Sequence, residues 1–233
     1  MTETKLRTGL ILLIGALGVL QPFSLDPYLA NISFIAKDLN VAQTLIAQNL
    51  TALTLGISVG TVIAGPMSDA IGRRKPILFA VIGYIGAAIL ASVATNVEVF
   101  FTGRILQGFF ASAAAVIANA MLRDMYEGLL LIKAVGRSML LMSTSWFIGP
   151  IFGSYLQSFT DWRGLGLILA TLGTALLILI FFKLPDTMSK EQRTKTTAKD
   201  VAKRFTYLVK DRVFLGLIIV QSCISVSLFC YLS

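Results

Sequence analysis

The sequence has no histidine among its 233 residues and little charge of either sign. Without histidine there can be no Ser–His or Cys–His nucleophile pair, no His-ligated zinc and no H-E-x-x-H metalloprotease site. The phosphate-binding pattern G-x-x-x-x-G-K-[ST] is absent too, so the chain does not energise itself with ATP. The two cysteines, Cys223 and Cys230, would lie about 10 Å apart along one helix, too far for a disulfide. We therefore expect no enzyme, no catalytic residue, no metal and no cofactor.

Apolar residues make up 56% of the chain, and only 14% of residues are charged, against about 25% in ordinary soluble domains. Such a composition excludes a soluble domain without an exposed apolar band. A helix needs about 20 mostly apolar residues to cross a membrane core about 30 Å thick. The runs that meet this requirement are residues 10–29, 45–66, 76–95, 97–121, 138–159, 165–184 and 213–233. The sequence therefore predicts an all-α polytopic membrane protein.

Lysine and arginine fall almost entirely on one side of these spans. With a cytoplasmic N-terminus, 17 of the 20 basic residues are cytoplasmic, only Lys37 and Arg163 are external, and Arg104 lies within a span. Cytoplasmic loops of membrane proteins carry this excess of positive charge. The net charge of +8 therefore indicates basic cytoplasmic loops rather than a nucleic-acid partner.

The spans divide the chain into a six-helix bundle over residues 1–184, a linker over 185–212 and a seventh helix over 213–233. Seven Lys or Arg residues lie between positions 190 and 210 of the linker. Its apolar residues Val201, Phe205, Leu208 and Val209 recur at helical spacing, which is typical of a helix on the inner membrane surface. A solvated basic linker explains the same residues equally well.

Small residues mark helix contacts in two spans. Gly56 and Gly60 form a G-x-x-x-G pattern, which lets two helices approach closely. Gly149-Pro150-Ile151-Phe152-Gly153 places a proline beside small residues in the fifth span, where it removes a helix hydrogen bond and favours a kink or a hinge. We expect the faces of Gly56, Gly60, Gly149 and Gly153 to meet a second half of the protein, or otherwise lipid or another copy.

Two further patterns concern charge. The connection between the second and third spans reads Gly65-Pro66-Met67-Ser68-Asp69-Ala70-Ile71-Gly72-Arg73-Arg74-Lys75, with glycines for tight turns and with Asp69 and Arg73 at pairing distance on a helix. The fourth span contains Gly103-Arg104-Ile105-Leu106-Gln107-Gly108. An arginine at that depth costs several kcal/mol unless it faces a wet cavity or a partner, and snorkelling to the surface is the alternative.

These motifs together resemble the Major Facilitator Superfamily, in particular its drug:proton antiporter branch of the Bcr/CflA type. Residues Gly65, Asp69, Gly72, Arg73, Arg74 and Lys75 match the loop signature of that family. Arg104, Gln107 and Gly108 are similar to its fourth-helix signature. Gly149, Pro150 and Gly153 are similar to its fifth-helix antiporter signature, with Ser154 in place of the usual second glycine. The segment Leu25-Asp26-Pro27-Tyr28-Leu29 resembles the end of helix one in that branch.

The resemblance implies an alternating-access transporter with two six-helix halves, each made of two inverted three-helix repeats. Its substrate would be a small hydrophobic or cationic molecule bound between the halves, and its energy source the proton gradient across the inner membrane. Proton coupling needs a carboxylate within the membrane, and Asp26 is the acidic residue that lies inside a complete span. Asp26 and Arg104 lie at similar depths and could pair; the alternative is that Asp26 merely ends the first helix beside Pro27. The resemblance thus makes Asp26, Arg104 and Gln107 the candidate residues for proton coupling or substrate contact.

Other functions stay open at this stage. The same fold serves carriers of non-drug metabolites, and a truncated fragment that does not transport is a further alternative. The chain holds one half, the linker and a seventh helix without its continuation. We therefore expect these 233 residues alone to insert into the membrane, to associate with copies of themselves or be degraded, and not to transport.

Overall fold

The computed structural model describes residues 8–29, 31–188, 207 and 210–232, without the side chains of Asp26, Pro27, Pro150, Gln157, Ile224, Ser225 and residues 227–232. The surface helix predicted from Val201, Phe205, Leu208 and Val209 lies outside the described residues. The chain separates into two compact units, residues 1–193 and 194–233. In the first unit the helices are α1 (Thr8–Leu29), α2 (Ile32–Asp38), α3 (Gln43–Ala47), α4 (Asn49–Ile71), α5 (Arg74–Ser92), α6 (Val97–Met125), α7 (Gly128–Gln157) and α8 (Trp162–Lys183). The second contains α9 (Arg212–Leu232).

The long helices of the first unit match the six predicted spans. In the described residues, five stretches are long and apolar enough to cross a membrane, namely Thr8–Leu25, Gln43–Ile71, Arg74–Ser92, Val97–Met125 and Trp162–Lys183. Helix α7 has 30 residues but is more polar, with Ser143, Thr144 and Ser145 in its middle. It begins ten residues before the predicted start at 138, because a search for apolar runs stops at Lys133 and Arg137 although the helix continues through them.

Two inverted repeats account for the packing of the bundle. Helices α1, α4 and α5 form the first repeat, and α6, α7 and α8 form the second. When the two repeats are exchanged, α1 corresponds to α6, α4 to α7 and α5 to α8. The contact between α4 and α6 then corresponds to the contact between α7 and α1, and both are present. The contacts α5–α6 and α8–α1 correspond in the same way. This is the contact pattern of two three-helix units related by a pseudo-two-fold axis.

The tightest packing joins α4 and α6 through glycine. A Cβ on Gly56 would overlap the carbonyl oxygen of Ile105, and one on Gly60 would overlap the carbonyl oxygen of Phe109. From the other side, a Cβ on Gly108 would overlap the carbonyl oxygen of Leu53. The expectation that Gly56 and Gly60 face a second half, lipid or another copy is therefore wrong: they lie buried inside this bundle, where only glycine lets the backbones approach so closely.

At the end of the bundle where α1 finishes, the two short helices α2 and α3 connect it to α4. Sequence reasoning missed them because seven and five residues are too short to produce a span signal. Arg163 at the start of α8 holds α2 in place, donating to Asp38 at 2.8 Å and to the carbonyl oxygens of Ser92 and Ala94. Asn96 and Asp161 begin α6 and α8 by accepting the backbone N–H of Val99 and Gly164.

Candidate functional site

Arg104 is the largest fully buried side chain described in the bundle, with none of its surface exposed. Its guanidinium donates to Asn49 Oδ1 at 2.5 Å, Gln107 Oε1 at 2.6 Å and the carbonyl oxygen of Ser24 at 2.5 Å. It also lies over the ring of Tyr28, 4.1 Å from the centroid. Arg104 thus joins α6 to α1 and α4, so the alternative that it snorkels outward is wrong. A charge in such a place needs these partners.

Further polar groups surround this cluster on α1 and α5. Ser24 Oγ and Tyr84 Oη lie 2.9 Å apart, and Gln107, which binds Arg104 through its oxygen, is itself fully buried. Asp26 lies in α1 between Ser24 and Tyr28, the two residues that contact Arg104. Helix α1 continues past Asp26 to Leu29, so neither Asp26 nor Pro27 ends it. Since the Asp26 side chain is outside the described part, its pairing with Arg104 stays a prediction.

A second cluster lies at the opposite end of the bundle, around Arg73. Helix α4 stops at Gly72, whose φ of 101° and ψ of 171° are accessible essentially to glycine alone, and α5 begins two residues later. Arg73 is 5% exposed and donates to Asp69 Oδ1 at 2.5 Å and Ser68 Oγ at 2.7 Å. Its Nε donates to Asp124 Oδ2 on α6 at 2.8 Å.

The same cluster includes residues that sequence reasoning missed. The backbone N–H of Arg73 donates to Asp186 Oδ1 at 3.2 Å, and Thr187 Oγ1 donates to Asp124 Oδ2 at 3.2 Å. Asp186 and Thr187 lie three and four residues after the end of α8, and only this position could have indicated them. Burial lowers the pKa of Arg73, but its hydrogen bonds and charge interactions with Asp124 and Asp69 outweigh that effect and raise the pKa above its usual value. Its guanidinium therefore stays charged.

The remaining residues of the loop signature have different surroundings. Arg74 reaches α8 and donates to the carbonyl oxygen of Phe181 at 2.7 Å, whereas Lys75 is exposed. A Cβ on Gly65 would meet nothing within 4 Å, so its presence is not explained by close packing in this structure. Its carbonyl oxygen accepts the hydroxyl of Ser68, which is itself bonded to Arg73.

The antiporter motif lies in the second half of α7. Gly149 and Gly153 are buried, while the side chain of Pro150 is outside the described part. Between the two glycines, the ring of Phe152 packs against the ring of Phe23 of α1, with centroids 5.6 Å apart and the ring planes tilted by 51°. Nearer the start of α7, the side chain of Leu141 and the backbone of Ser138 pack closely on Gly15 of α1. The motif thus belongs to a helix that packs along α1, the helix that also holds Asp26.

A cleft of about 210 Å³ opens where α1, α4, α6 and α7 meet. Its walls mix amides, hydroxyls, methionines and small apolar residues, among them Gln21, Thr61, Ser112, Asn119, Ser138, Met139 and Met142. Methionine adapts to differently shaped apolar partners, and the amides and hydroxyls provide hydrogen bonds. The cleft has the lining of a site for a small amphipathic molecule.

The chain matches the family model of the Major Facilitator Superfamily over residues 12–233 and belongs to that family. It is therefore a multi-pass membrane protein of a family of transporters, not an enzyme, and the family uses no cofactor. The chain is 33% identical over 231 residues to the uncharacterized MFS-type transporter YdgK of Bacillus subtilis, covering 98% of this chain and 58% of that protein. It is 32% identical over 234 residues to a bicyclomycin resistance protein homolog of Haemophilus influenzae, with coverage of 100% and 58%.

Solved structures agree with this assignment of the fold. The proton:xylose symporter XylE is similar with a TM-score of 0.69 at 13% identity, over 76% of this chain and 44% of XylE. The human organic anion transporter MFSD10 is similar with a TM-score of 0.63 at 17% identity, over 83% of this chain and 51% of that protein. The chain thus spans about half the length of the proteins it matches.

Proposed function

We propose that the six-helix bundle forms one wall of a proton-coupled exporter of small hydrophobic or cationic molecules, which works by alternating access in the bacterial inner membrane. The observation that carries this proposal is the mixed cleft between α1, α4, α6 and α7. The amide side chains of Gln21 and Asn119 are energetically unfavourable against lipid. They are favourable against an aqueous pathway or an amphipathic substrate. Relatives named for multidrug or bicyclomycin resistance support export as the direction of transport.

The proposed function is tested in a full-length transporter whose first half is this bundle, expressed in efflux-deficient bacteria. Energised cells should accumulate less ethidium than cells with an empty vector, and a protonophore should remove the difference. Asn119→Leu, which replaces an amide of the cleft by an apolar group of similar size, should weaken ethidium export. Uptake of labelled sugars or other metabolites without ethidium export would instead favour the alternative of a metabolite carrier.

Asp26 is our candidate for the coupling carboxylate. We expect Asp26→Asn in the full-length transporter to abolish export driven by a pH gradient while leaving the amount of protein unchanged, because the amide cannot take up and release a proton. Proteoliposomes with an imposed pH gradient provide the measurement. Glu98→Gln, which removes an acidic residue in the first turn of α6 near the same membrane surface, is the matched control. Full gradient-driven export by Asp26→Asn would place the coupling group elsewhere.

We propose that the cluster around Arg73 is a gate on the cytoplasmic side. In Asp69→Asn, Arg73 keeps its ion pair with Asp124, but its bond to residue 69 becomes weaker because the charge of the carboxylate is lost. The turnover rate should therefore fall several-fold, while the affinity for the substrate changes little. Transport rates and equilibrium binding of the same substrate are to be compared, with Glu127→Gln as the control at the same end of the bundle. Unchanged turnover would reduce Asp69 to a residue that shapes the turn.

The proposed orientation puts the N-terminus, the loop from Gly72 to Lys75 and residues 185–212 in the cytoplasm, and Lys37 and Arg163 outside. Single cysteines at positions 37 and 75, introduced after replacement of Cys223 and Cys230, distinguish the two sides. An impermeant maleimide added to intact cells should label position 37 and spare position 75. Labelling in the opposite pattern would invert the topology.

A further inference from the structure

An apolar groove of about 320 Å³ runs along the seam between α1 and α8, apart from the polar cleft. Its walls include Ala16, Val19 and Phe23 on α1 and Leu172 and Leu176 on α8. Tyr84 of α5 also lines it, but the phenolic oxygen is engaged with Ser24 at 2.9 Å. A site with such walls offers water almost no hydrogen bonds, so it holds apolar matter.

A second cavity, of about 440 Å³, continues the same seam at the end where α1 begins and α8 finishes. It is lined by Thr8, Leu13, Lys183 and Pro185, among others. Leu13 precedes Ala16 by three residues, and Lys183 follows the groove residue Leu179 by four, which is about 5–6 Å along each helix. The apolar groove therefore leads into a cavity that carries a lysine.

Two basic side chains lie at that second cavity, Lys183 in its wall and Arg137 bound to Thr8. Lys183 is exposed, and Arg137 of α7 donates to the hydroxyl of Thr8 at 3.2 Å. The carboxylate that follows α8 most closely, Asp186, accepts a hydrogen bond from the backbone N–H of Arg73. A negatively charged group entering the cavity thus meets Lys183, Thr8 and Arg137.

We propose that an anionic phospholipid binds along the α1–α8 seam, with one acyl chain in the apolar groove and its phosphate at Lys183, Thr8 and Arg137. The 11 residues of helix that separate Leu172 from Lys183 rise by about 16 Å, which matches half of a hydrocarbon core about 30 Å thick. The site therefore has the depth of one leaflet. Basic pockets between helices on the cytoplasmic side of membrane proteins recognise such headgroups.

The headgroup contact is tested on the 233-residue chain purified in detergent with equal amounts of phosphatidylglycerol and phosphatidylcholine of identical acyl chains. Native mass spectrometry should detect preferential retention of phosphatidylglycerol. Lys183→Gln should reduce that retention about fivefold, since it removes one lysine near the membrane surface. Lys133→Gln, an exposed lysine of α7 outside the cavity, is the matched control and should leave retention unchanged.

The acyl-chain contact needs its own variant. Ala175→Trp fills the groove from α8 and should lower retention of both lipids, whereas Ile178→Trp, an exposed position of the same helix outside the groove, should not. Equal retention of the two lipids by the unmodified chain would overturn the headgroup assignment, as would equal losses in Lys183→Gln and Lys133→Gln. If the two tryptophan variants retain the lipids equally, the proposal that the acyl chain lies in the groove is overturned. None of these outcomes depends on transport.

Discussion

Arg104→Ala is expected to destabilise the bundle by about 2–4 kcal/mol and to abolish transport by a full-length protein that contains it. The substitution removes the donor from Asn49 Oδ1, Gln107 Oε1 and the carbonyl oxygen of Ser24. One hydrogen bond between membrane helices contributes only about 0.6 kcal/mol on average. Here three acceptors lose their donor together, each buried acceptor left unsatisfied costs about 1–3 kcal/mol, and a cavity forms beside Tyr28. The substitution also removes the cost of burying a charge, so the net effect is smaller than the sum of these losses.

Two variants sharpen the test of Arg104. Arg104→Lys keeps the charge but not the planar fork of donors, so it should also lose most of the stabilisation that Arg104 provides. Arg123→Ala, on the same helix but exposed, should be close to neutral. Thermal unfolding of the detergent-purified chain, followed by fluorescence-detected size-exclusion chromatography, measures all three. If Arg104→Ala unfolds at the same temperature as Arg123→Ala, the three hydrogen bonds do not hold the helices together.

Gly56→Ala should have an effect of similar size for a steric reason. The added methyl group would overlap the carbonyl oxygen of Ile105, so α4 and α6 must move apart. Overpacking of a tight contact costs about 1–3 kcal/mol, occasionally more. Gly86→Ala is the matched control, because its methyl group meets nothing within 4 Å and alanine favours the helix.

The same contact predicts how two substitutions combine. Gly108→Ala meets the carbonyl oxygen of Leu53 across the same helix pair and should destabilise the bundle alone. Once α4 and α6 have separated to accommodate one methyl group, the second finds room. Gly56→Ala with Gly108→Ala should therefore cost less than the two single effects added, as neighbouring sites do not act independently. If the loss of stability in the double variant equals the sum of the two single losses, the two glycines do not share one contact between α4 and α6.

The sequence predicted the Asp69–Arg73 contact because it is local: two residues four apart on one helix end lie within reach of each other. The second carboxylate that binds Arg73 belongs to Asp124, which lies 51 positions away at the end of α6. Asp186 and Thr187 could not be found in this way. Asp186 joins the cluster because α8 ends beside the start of α5, which brings it to Arg73, 113 positions away. Thr187 reaches Asp124 at the end of α6, 63 positions away.

The glycines of α4 illustrate the opposite outcome. The spacing of Gly56 and Gly60 correctly indicated a close helix contact, but not the helix it joins. A small residue permits approach from any partner, so its sequence carries no information about which partner arrives. The structure assigns that contact to α6, where Gly108 provides the matching space.

By itself the sequence determined the helical spans and where basic residues fall between them, because both depend on composition within about 20 consecutive residues. It also determined the family motifs, since each is a short local pattern. Only the tertiary structure decided which faces meet. It placed Arg104 against α1 and α4, joined Arg73 to α6 and the segment after α8, and left a polar cleft on one side and an apolar groove on another. A helix that is apolar nearly all round has no single apolar face that would identify its partner. The partner is therefore determined by the fit between side-chain shapes and by the pairing of buried polar and charged groups.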